Sequence, residues 1–249
     1  MSSLVKRHLN GYFNKFYFSQ QTEGALRYSP IVSILKNKKS KSFKMLEINP
    51  GGFGIKPYLN IEIDGFDITR NGAKNKLKKD IKSTSSILPF KKNSYDITIN
   101  ADTLSSLGMV EREKLIFEIL RITKKLIIIT VPSGVSAQNQ DNEFSIIWKN
   151  IFKRPNQTLE DHLNKGLPTV DEMLMYIDKS KRALGKTAQV NSYPSLNLFV
   201  RKIITRIGIT NNKYLYFLCK RGFLLLVPIL KYCNFGNTYR RVFVIEFRE

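Results

Sequence analysis

The chain has 249 residues, of which 41 are Lys or Arg and 20 are Asp or Glu, so its formal net charge is +21. Because 42% of the residues are hydrophobic, the chain can bury a substantial core, which argues against intrinsic disorder. The presence of only two cysteines excludes a disulfide scaffold and a cysteine-rich zinc module.

The first 132 residues alternate predicted strands and helices, the pattern of a parallel α/β sheet. In chain order we predict a helix over 31–37, strands over 44–48 and 60–68, a helix over 70–79, a short strand at 80–81, a strand over 94–102, a helix over 110–125 and a strand over 126–131. The last of these strands is a continuous β-branched run, as expected for a strand buried on both faces.

The rest of the chain is less regular. We predict helices over 142–153 and 158–165, a helix beginning at Thr169, a strand over 186–192, helices over 196–207 and 214–232, and a final strand over 239–247. No internal repeat and no Gly/Ser linker divides the chain. The sequence therefore predicts a single domain over 1–249, with a helical insertion after the fifth strand.

Carboxylates end the successive predicted strands at Glu47, Asp67, Asp80 and Asp102. The first strand runs directly into a loop over 49–54 that is rich in turn-forming residues and lets the backbone approach a ligand closely. Ligands of open α/β sheets bind at the carboxyl ends of the strands, where these side chains gather. Asp67 follows Glu47 by 20 residues, a distance typical of a carboxylate that accepts hydrogen bonds from ribose hydroxyls.

Further along, the chain has Leu88-Pro89-Phe90, then a short loop and the aromatic–acidic pair Tyr95-Asp96 leading into a strand. With the preceding carboxylates and the glycine-containing loop, this order resembles the class I S-adenosylmethionine-dependent methyltransferases over roughly residues 43–132. The resemblance implies a Rossmann-like, seven-stranded, mostly parallel sheet flanked by helices. It divides the domain into a cofactor-binding half over 28–132, a helical insertion and acceptor region over 133–185, and C-terminal helices with the last strand over 186–249.

The resemblance also implies a role for each cofactor-site residue. Glu47 positions the loop and the cofactor ammonium, Asp67 holds the ribose hydroxyls, and Asp80 takes the adenine amino group. The other implied contacts are Gly51 and Gly52 beside the methionine part, Ile81 on the adenine ring, and Asn100, Ala101 and Asp102 along the methionine side. The loop departs from the family pattern, because Asn49 replaces the first glycine and Phe53 the third. Asn tolerates left-handed backbone angles, so we expect Asn49 to belong to the site.

His162 is the candidate catalytic residue. It lies after the predicted fifth strand in a segment, 160–168, that is similar to one in methyltransferases found among bacterial surface-polysaccharide enzymes. An imidazole there would deprotonate an acceptor hydroxyl. A structural role at the end of the helix before Gly166 explains the same residue equally simply.

The resemblance implies an S-adenosylmethionine-dependent methyltransferase, with a sugar hydroxyl of a glycan or lipid-linked intermediate as the favoured acceptor; another small molecule remains open. An RNA methyltransferase and a non-catalytic binding module that keeps the fold are the alternatives. We expect no metal. The chain lacks a signal-peptide pattern, which favours the cytoplasm. The apolar segment 213–232 has basic flanks and favours peripheral contact with the inner, anionic membrane face, although packing on the sheet or at a dimer contact explains it as well.

Overall fold

A computed structural model describes residues 21–37, 43–51, 54–59, 61, 63–68 and 87–248. The α-helices of this part are α1 (Thr22–Asn37), α2 (Met109–Ile122), α3 (Val135–Phe152), α4 (Gln157–Lys165), α5 (Val170–Leu184), α6 (Leu198–Gly208), α7 (Lys213–Lys220) and α8 (Val227–Leu230). The strands are β1 (Met45–Ile48), β2 (Asp64–Phe66), β3 (Tyr95–Ala101), β4 (Thr123–Pro132), β5 (Ala188–Asn197) and β6 (Thr238–Phe247). Short 3-10 helices cover Lys56–Tyr58, Thr103–Ser106 and Gly222–Leu226.

The six strands form one sheet in the order β2-β1-β3-β4-β6-β5. The first four strands in this order are parallel to one another, whereas β6 is antiparallel to both β4 and β5. This is the mostly parallel, Rossmann-like α/β sheet that the sequence predicts. The predicted short strand at 80–81 lies outside the described residues, so the sheet has six strands in the part described.

Helices cover both faces of the sheet because successive strand residues point to opposite sides. One face packs on α2 and α5, through Ile48, Ile127, Ile129, Ile119 and Met173 among others. The other face packs on α1, through Ile99, Ile128, Val244, Ile31 and Leu35 among others. Strands β3 and β4 are therefore buried on both sides, which explains the near-continuous apolar run in β4.

Several element bounds differ from the predictions near strand and helix ends. The first helix begins at Thr22 rather than residue 31, with Pro30 inside it. The helix predicted to reach residue 125 ends at Ile122, because Thr123 is already paired with Tyr95 in the sheet. The second strand is limited to Asp64–Phe66, and β5 extends to Asn197 instead of ending at residue 192.

The helix predicted over 214–232 is wrong as a single element. It is divided into α7, a 3-10 helix and α8, with Arg221 and Gly222 at the first break. Glycine lowers helix stability at the first break, and Pro228 lies in the first turn of the last short helix, where a missing N–H is tolerated. Among the described residues, no helix is both long and apolar enough to cross a bilayer.

The Leu88-Pro89-Phe90 loop is held by two charged residues of α2. Glu118 is buried, and its Oε2 accepts a hydrogen bond of 2.8 Å from the N–H of Leu88. Arg121 donates to the carbonyl oxygens of Phe90 and Leu88 at 2.8 and 3.0 Å and also binds Glu118. These bonds satisfy backbone groups of an irregular loop that would otherwise lose their partners on burial.

We expect Glu118→Ala to lower the free energy of unfolding by about 1–3 kcal/mol, because the Leu88 N–H and the Arg121 guanidinium each lose their acceptor. Urea denaturation of the full chain measures the change. Glu113→Ala on the same helix is the control, since Glu113 pairs only with Lys179 at the surface and such pairs contribute about 0–1 kcal/mol. Equal destabilisation by the two variants would contradict this account of the loop.

Candidate functional site

The register of the sheet brings the predicted site residues to one edge. Ile48 of β1 is opposite Phe66 of β2 and Asn100 of β3. The next residue along each strand is therefore Asn49, Asp67 or Ala101, all at the same level beyond the carboxyl ends of the strands. Open α/β sheets bind their ligands at this edge.

Glu47 organises the loop that follows β1. Its carboxylate is buried, and Oε2 accepts a 2.9 Å hydrogen bond from the N–H of Ile55, while Oε1 has no hydrogen-bond partner among the described residues. Burial raises the pKa of Glu47 to about 7, although the bond from Ile55 opposes the shift. A Cβ on Gly54 would collide with Glu47 Oε2 and lie 2.7 Å from Pro50 Cβ, and Gly54 has φ +57°, so glycine suits the point where the loop closes over this carboxyl.

Two residues of this loop adopt left-handed backbone angles that suit a close backbone approach. Gly51 has φ +54°, and the nearest atom to a Cβ built there would be a carbonyl oxygen at 4.0 Å. Asn49, in the place of a family glycine, has φ +52°, a conformation that Asn adopts more readily than most residues. Its Oδ1 accepts a 2.5 Å hydrogen bond from the N–H of Ile68, next to Asp67. Asn49 therefore ties the first loop to the end of β2.

Asn100 of β3 has a buried side-chain amide. It is fully buried, yet neither Oδ1 nor Nδ2 forms a hydrogen bond within the described part of the chain. The hydroxyls of Thr103 and Thr130 are buried and unpartnered in the same way. Because most buried polar groups in folded proteins are hydrogen-bonded, these atoms at the end of β3 and β4 are suited to a polar ligand.

Asp102 follows β3 in the left-handed conformation, with φ +63°. Arg240 Nε donates to both of its carboxylate oxygens at 3.0 and 2.9 Å, and Arg27 Nε lies 2.9 Å from Oδ2. Burial pushes the pKa of Asp102 up, but the two guanidinium groups outweigh it and hold the pKa below its ordinary value. The structure thus places Asp102 at the predicted edge but pairs its side chain with two arginines.

His162 lies on α4 and is buried between two side chains of other elements. Its Nδ1 is 2.7 Å from Asp141 Oδ2, and its Nε2 is 2.9 Å from Ser105 Oγ. Ser105 itself donates to the carbonyl oxygen of Asp102 at 2.6 Å. Either atom of the His162–Ser105 contact can be the donor, depending on the tautomer of the imidazole. The chain His162–Ser105–Asp102 connects the insertion to the end of β3.

Asp141 of α3 contacts His162 through the ring nitrogen that does not face Ser105. Besides His162, it accepts hydrogen bonds from Arg201 at 2.6 Å and from the hydroxyl of Tyr239 at 3.0 Å. Burial raises the pKa of Asp141, but the bond to His162 and the charge of Arg201 prevail and the pKa lies below its usual value. Sequence reasoning missed Asp141, Ser105 and Arg201, because none belongs to a local motif and their contacts arise only in the fold.

Arg112 of α2 fixes the insertion to the sheet from another side. Its buried guanidinium donates to the carbonyl oxygen of Leu104 at 2.9 Å and to that of Gly166. Lys165 adds a 2.6 Å bond to the carbonyl oxygen of Ser106. The end of α4 is therefore attached to the 3-10 helix after β3, and His162 cannot move independently of that turn.

The remaining predicted contacts, Gly52, Asp80 and Ile81, lie outside the described residues, as does Phe53. Those that are described fit a nucleoside-linked amino acid such as S-adenosylmethionine: a carboxyl with an unpartnered oxygen at Glu47, an open left-handed glycine and the unpartnered amide of Asn100. No group of three or more metal-ligating side chains occurs in the described part of the chain.

The raised pKa of Glu47 predicts a pH-dependent stability. Between the ordinary carboxyl value near 4.5 and the folded value of about 7, the folded chain holds a proton that the unfolded chain has released. The free energy of unfolding therefore falls across this window as pH rises, by about 3 kcal/mol in total. We expect the free energies of unfolding of the parent and of Glu47→Gln, measured by urea denaturation, to differ by an amount that changes with pH over this window and is constant above it. In the control Glu113→Gln, the free energy of unfolding should depend on pH as it does in the parent. If Glu47→Gln also keeps the parental pH dependence, the raised pKa of Glu47 is refuted.

No protein-family model matches the sequence, and no curated protein matches it at a significant level. Solved structures match along nearly the whole chain. A SAM-dependent methyltransferase of Thermotoga maritima, described as a possible histamine N-methyltransferase, has 13% identity and a TM-score of 0.50 over 98% of this chain and 97% of its own. The plantazolicin methyltransferase BpumL in complex with SAH has 13% identity and a TM-score of 0.52 over 99% of this chain and 92% of its own. The plantazolicin methyltransferase BamL in complex with a triazolic desmethylPZN analog and SAH has 12% identity and a TM-score of 0.52 over 99% of this chain and 91% of its own. At these identities the likeness concerns the fold, and the chain has the fold of the class I SAM-dependent methyltransferases.

Proposed function

We propose that the protein is a S-adenosylmethionine-dependent methyltransferase. The observation that carries the proposal is the convergence of Glu47, Asn49, Asp67 and the unpartnered Asn100 on one edge of a sheet with this fold. The fold alone does not specify an activity. The arrangement of a carboxyl, a left-handed loop and a buried free amide at the carboxyl ends of β1, β2 and β3 is what a methionine-linked nucleoside requires.

The residues at this edge have separate binding roles in the proposal. Asp67 would hold the ribose hydroxyls, and Glu47 would position the loop and the cofactor ammonium. The remaining contacts are those expected from the sequence: Gly51, Gly52, Asp80, Ile81, Asn100, Ala101 and Asp102. When bound, the cofactor supplies an activated methyl group on a sulfonium, so the chain has chiefly to align an acceptor in line with it.

Asp102 acts in this proposal mainly through its backbone and position. Its carboxylate is already bound by Arg240 and Arg27, which leaves less capacity for a further ligand. The carbonyl oxygen of Asp102 accepts from Ser105, and its N–H donates to Thr130 at 2.8 Å. These contacts hold the turn after β3 against the proposed methionine side.

For the acceptor we propose a hydroxyl group of a glycan or lipid-linked sugar. A hydroxyl needs to lose a proton during the transfer, and His162 is the one imidazole in the described residues. Asp141 orients Nδ1, as a carboxylate does for a histidine base. To act as a base, the neutral imidazole would carry its single proton on Nδ1, toward Asp141, and leave Nε2 as the acceptor.

The cofactor assignment is tested at Asp67. We expect Asp67→Ala to weaken S-adenosylmethionine binding roughly 30-fold to 1,000-fold, because charged hydrogen bonds contribute about 1.5–3 kcal/mol each and are not additive. Titration calorimetry measures the dissociation constant. Asp64→Ala, three residues earlier in β2, is the matched control, because Asp64 contacts Tyr95 rather than the proposed site. Equal affinity in the Asp67 variant and the parent, or no binding by the parent, would refute the assignment.

The base hypothesis is tested by comparing His162→Gln with Ser105→Ala. If His162 is the base, we expect His162→Gln to retain cofactor binding and to lose about 10²–10⁴-fold of turnover. The parental rate should rise with pH through one ionisation that the variant lacks, whereas Ser105→Ala keeps the imidazole and should retain an ionisation, displaced by the loss of the hydroxyl at Nε2. If both variants instead weaken cofactor binding equally and leave the pH profile unchanged, His162 only supports the turn at Asp102.

A further inference from the structure

The C-terminal helices expose a concentration of large apolar side chains. Of the twenty large apolar side chains that are exposed in the described part of the chain, twelve lie between residues 199 and 235. They are Phe199, Ile203, Tyr214, Leu215, Tyr216, Phe217, Leu218, Leu225, Leu226, Ile229, Tyr232 and Phe235, which we call the C-terminal apolar surface. Tyr214, Leu225 and Ile229 are 87%, 74% and 67% exposed. Single exposed apolar residues need no explanation, but such a concentration indicates an interaction surface.

The exposed residues are not simply a poorly packed core. Ile204, Val227 and Leu230 of the same helices turn inward and pack against a cluster of buried residues that includes Leu26 and Tyr239. Cys219 of α7 also contacts α6, with Sγ 2.9 Å from the carbonyl oxygen of Ile204. Each helix thus already has an inner face, and the apolar surface is an additional, outer one.

The chain segment that carries this surface has only basic charged side chains. No Asp or Glu occurs between Asp178 and Glu246 in the sequence, although Glu143 of α3 pairs with Lys202 and Arg206 of α6. Lys213, Lys220 and Lys231 flank the exposed apolar side chains, and no described carboxylate forms an ion pair with any of them. Long lysine side chains can lay their methylene groups along an apolar surface while their ammonium groups reach outward.

We propose that the C-terminal apolar surface docks on an anionic lipid bilayer. Leucine and isoleucine side chains suit the acyl region, tyrosines suit the headgroup level, and the lysine rim suits acidic headgroups. A second copy of the chain would bring an equally basic surface against this one. A nucleic acid would match the charge but leaves exposed aliphatic residues such as Leu225 and Ile229 without a stacking partner. The bilayer alone uses both the charge and the aliphatic residues.

The surface is close to the proposed methyl-transfer site. Thr22, the first residue of α1, has its hydroxyl 3.3 Å from the carbonyl oxygen of Lys220. Arg27 lies five residues further along the same helix, about 8 Å by helical rise, and contacts Asp102. An enzyme docked in this way holds its site near the headgroups, where a lipid-linked acceptor presents its sugar. This last step depends on the proposed function, whereas docking itself does not.

The test is vesicle flotation with the full chain, using vesicles of phosphatidylcholine alone or of equal parts phosphatidylcholine and phosphatidylglycerol. We expect binding to the anionic vesicles that weakens with salt. Each lysine near an anionic surface contributes about 1 kcal/mol, so the double variant Lys213→Gln/Lys231→Gln should bind about 30-fold more weakly. Leu225→Ser/Ile229→Ser should reduce binding at least tenfold on the same vesicles. Ile146→Ser/Met175→Ser, at exposed apolar residues outside the surface, should change nothing.

Every variant should have the circular dichroism spectrum and the affinity for S-adenosylmethionine of the parent. These two controls separate loss of docking from loss of folding or of the proposed cofactor site. Failure of the parent to float with anionic vesicles would overturn the proposal, whatever the methyltransferase assays show. So would a concentration-dependent dimer that Leu225→Ser/Ile229→Ser disrupts, or retention on single-stranded RNA without vesicle binding.

Discussion

The structure depends most on the buried ion pairs behind the carboxyl edge of the sheet. Asp141 is buried and Asp102 largely so, and partners from distant elements hold the pKa of each below its ordinary value: Arg240 and Arg27 for Asp102, and His162 and Arg201 for Asp141. Removing one partner of such a pair leaves an uncompensated buried charge, which typically destabilises a protein by about 3–5 kcal/mol. Positions of α1, α6 and β6 relative to the edge are therefore specified by charge as well as by apolar packing.

This network also connects the turn after β3 to several distant elements. Arg27 connects the turn after β3 to α1, and Arg240 connects it to β6. Through Ser105 and His162 the same turn is connected to α4, and through Asp141 to α3 and α6. The insertion that follows β4 is thus connected by hydrogen bonds and ion pairs to the carboxyl edge of the sheet.

The sequence predicts well those features that depend on neighbouring residues. The alternation of strands and helices, the loop after β1 and the strand-end position of Asp67 all follow from local patterns, and the register of β1 with β2 and β3 brings them together. Contacts between distant residues could not be predicted in this way. Asp102 and Arg240 are 138 residues apart, and Ser105 and His162 are 57 apart. Such pairings depend on how the C-terminal half folds back on the sheet, which no local pattern encodes.

The lysines and the arginines of the chain lie in different surroundings. The chain has 28 lysines and 13 arginines, and the Lys or Arg side chains that pair with Asp102 and Asp141 are all arginines. A planar guanidinium can donate to both oxygens of a carboxylate and is less strongly hydrated than an ammonium, so it suits a buried pair. The C-terminal apolar surface is flanked largely by lysines, whose compact ammonium groups remain hydrated and interact over a distance with a charged surface. Arg27, Arg201 and Arg240 are thus compensated by carboxylates behind the sheet edge, whereas Lys213, Lys220 and Lys231 form no ion pair among the described residues.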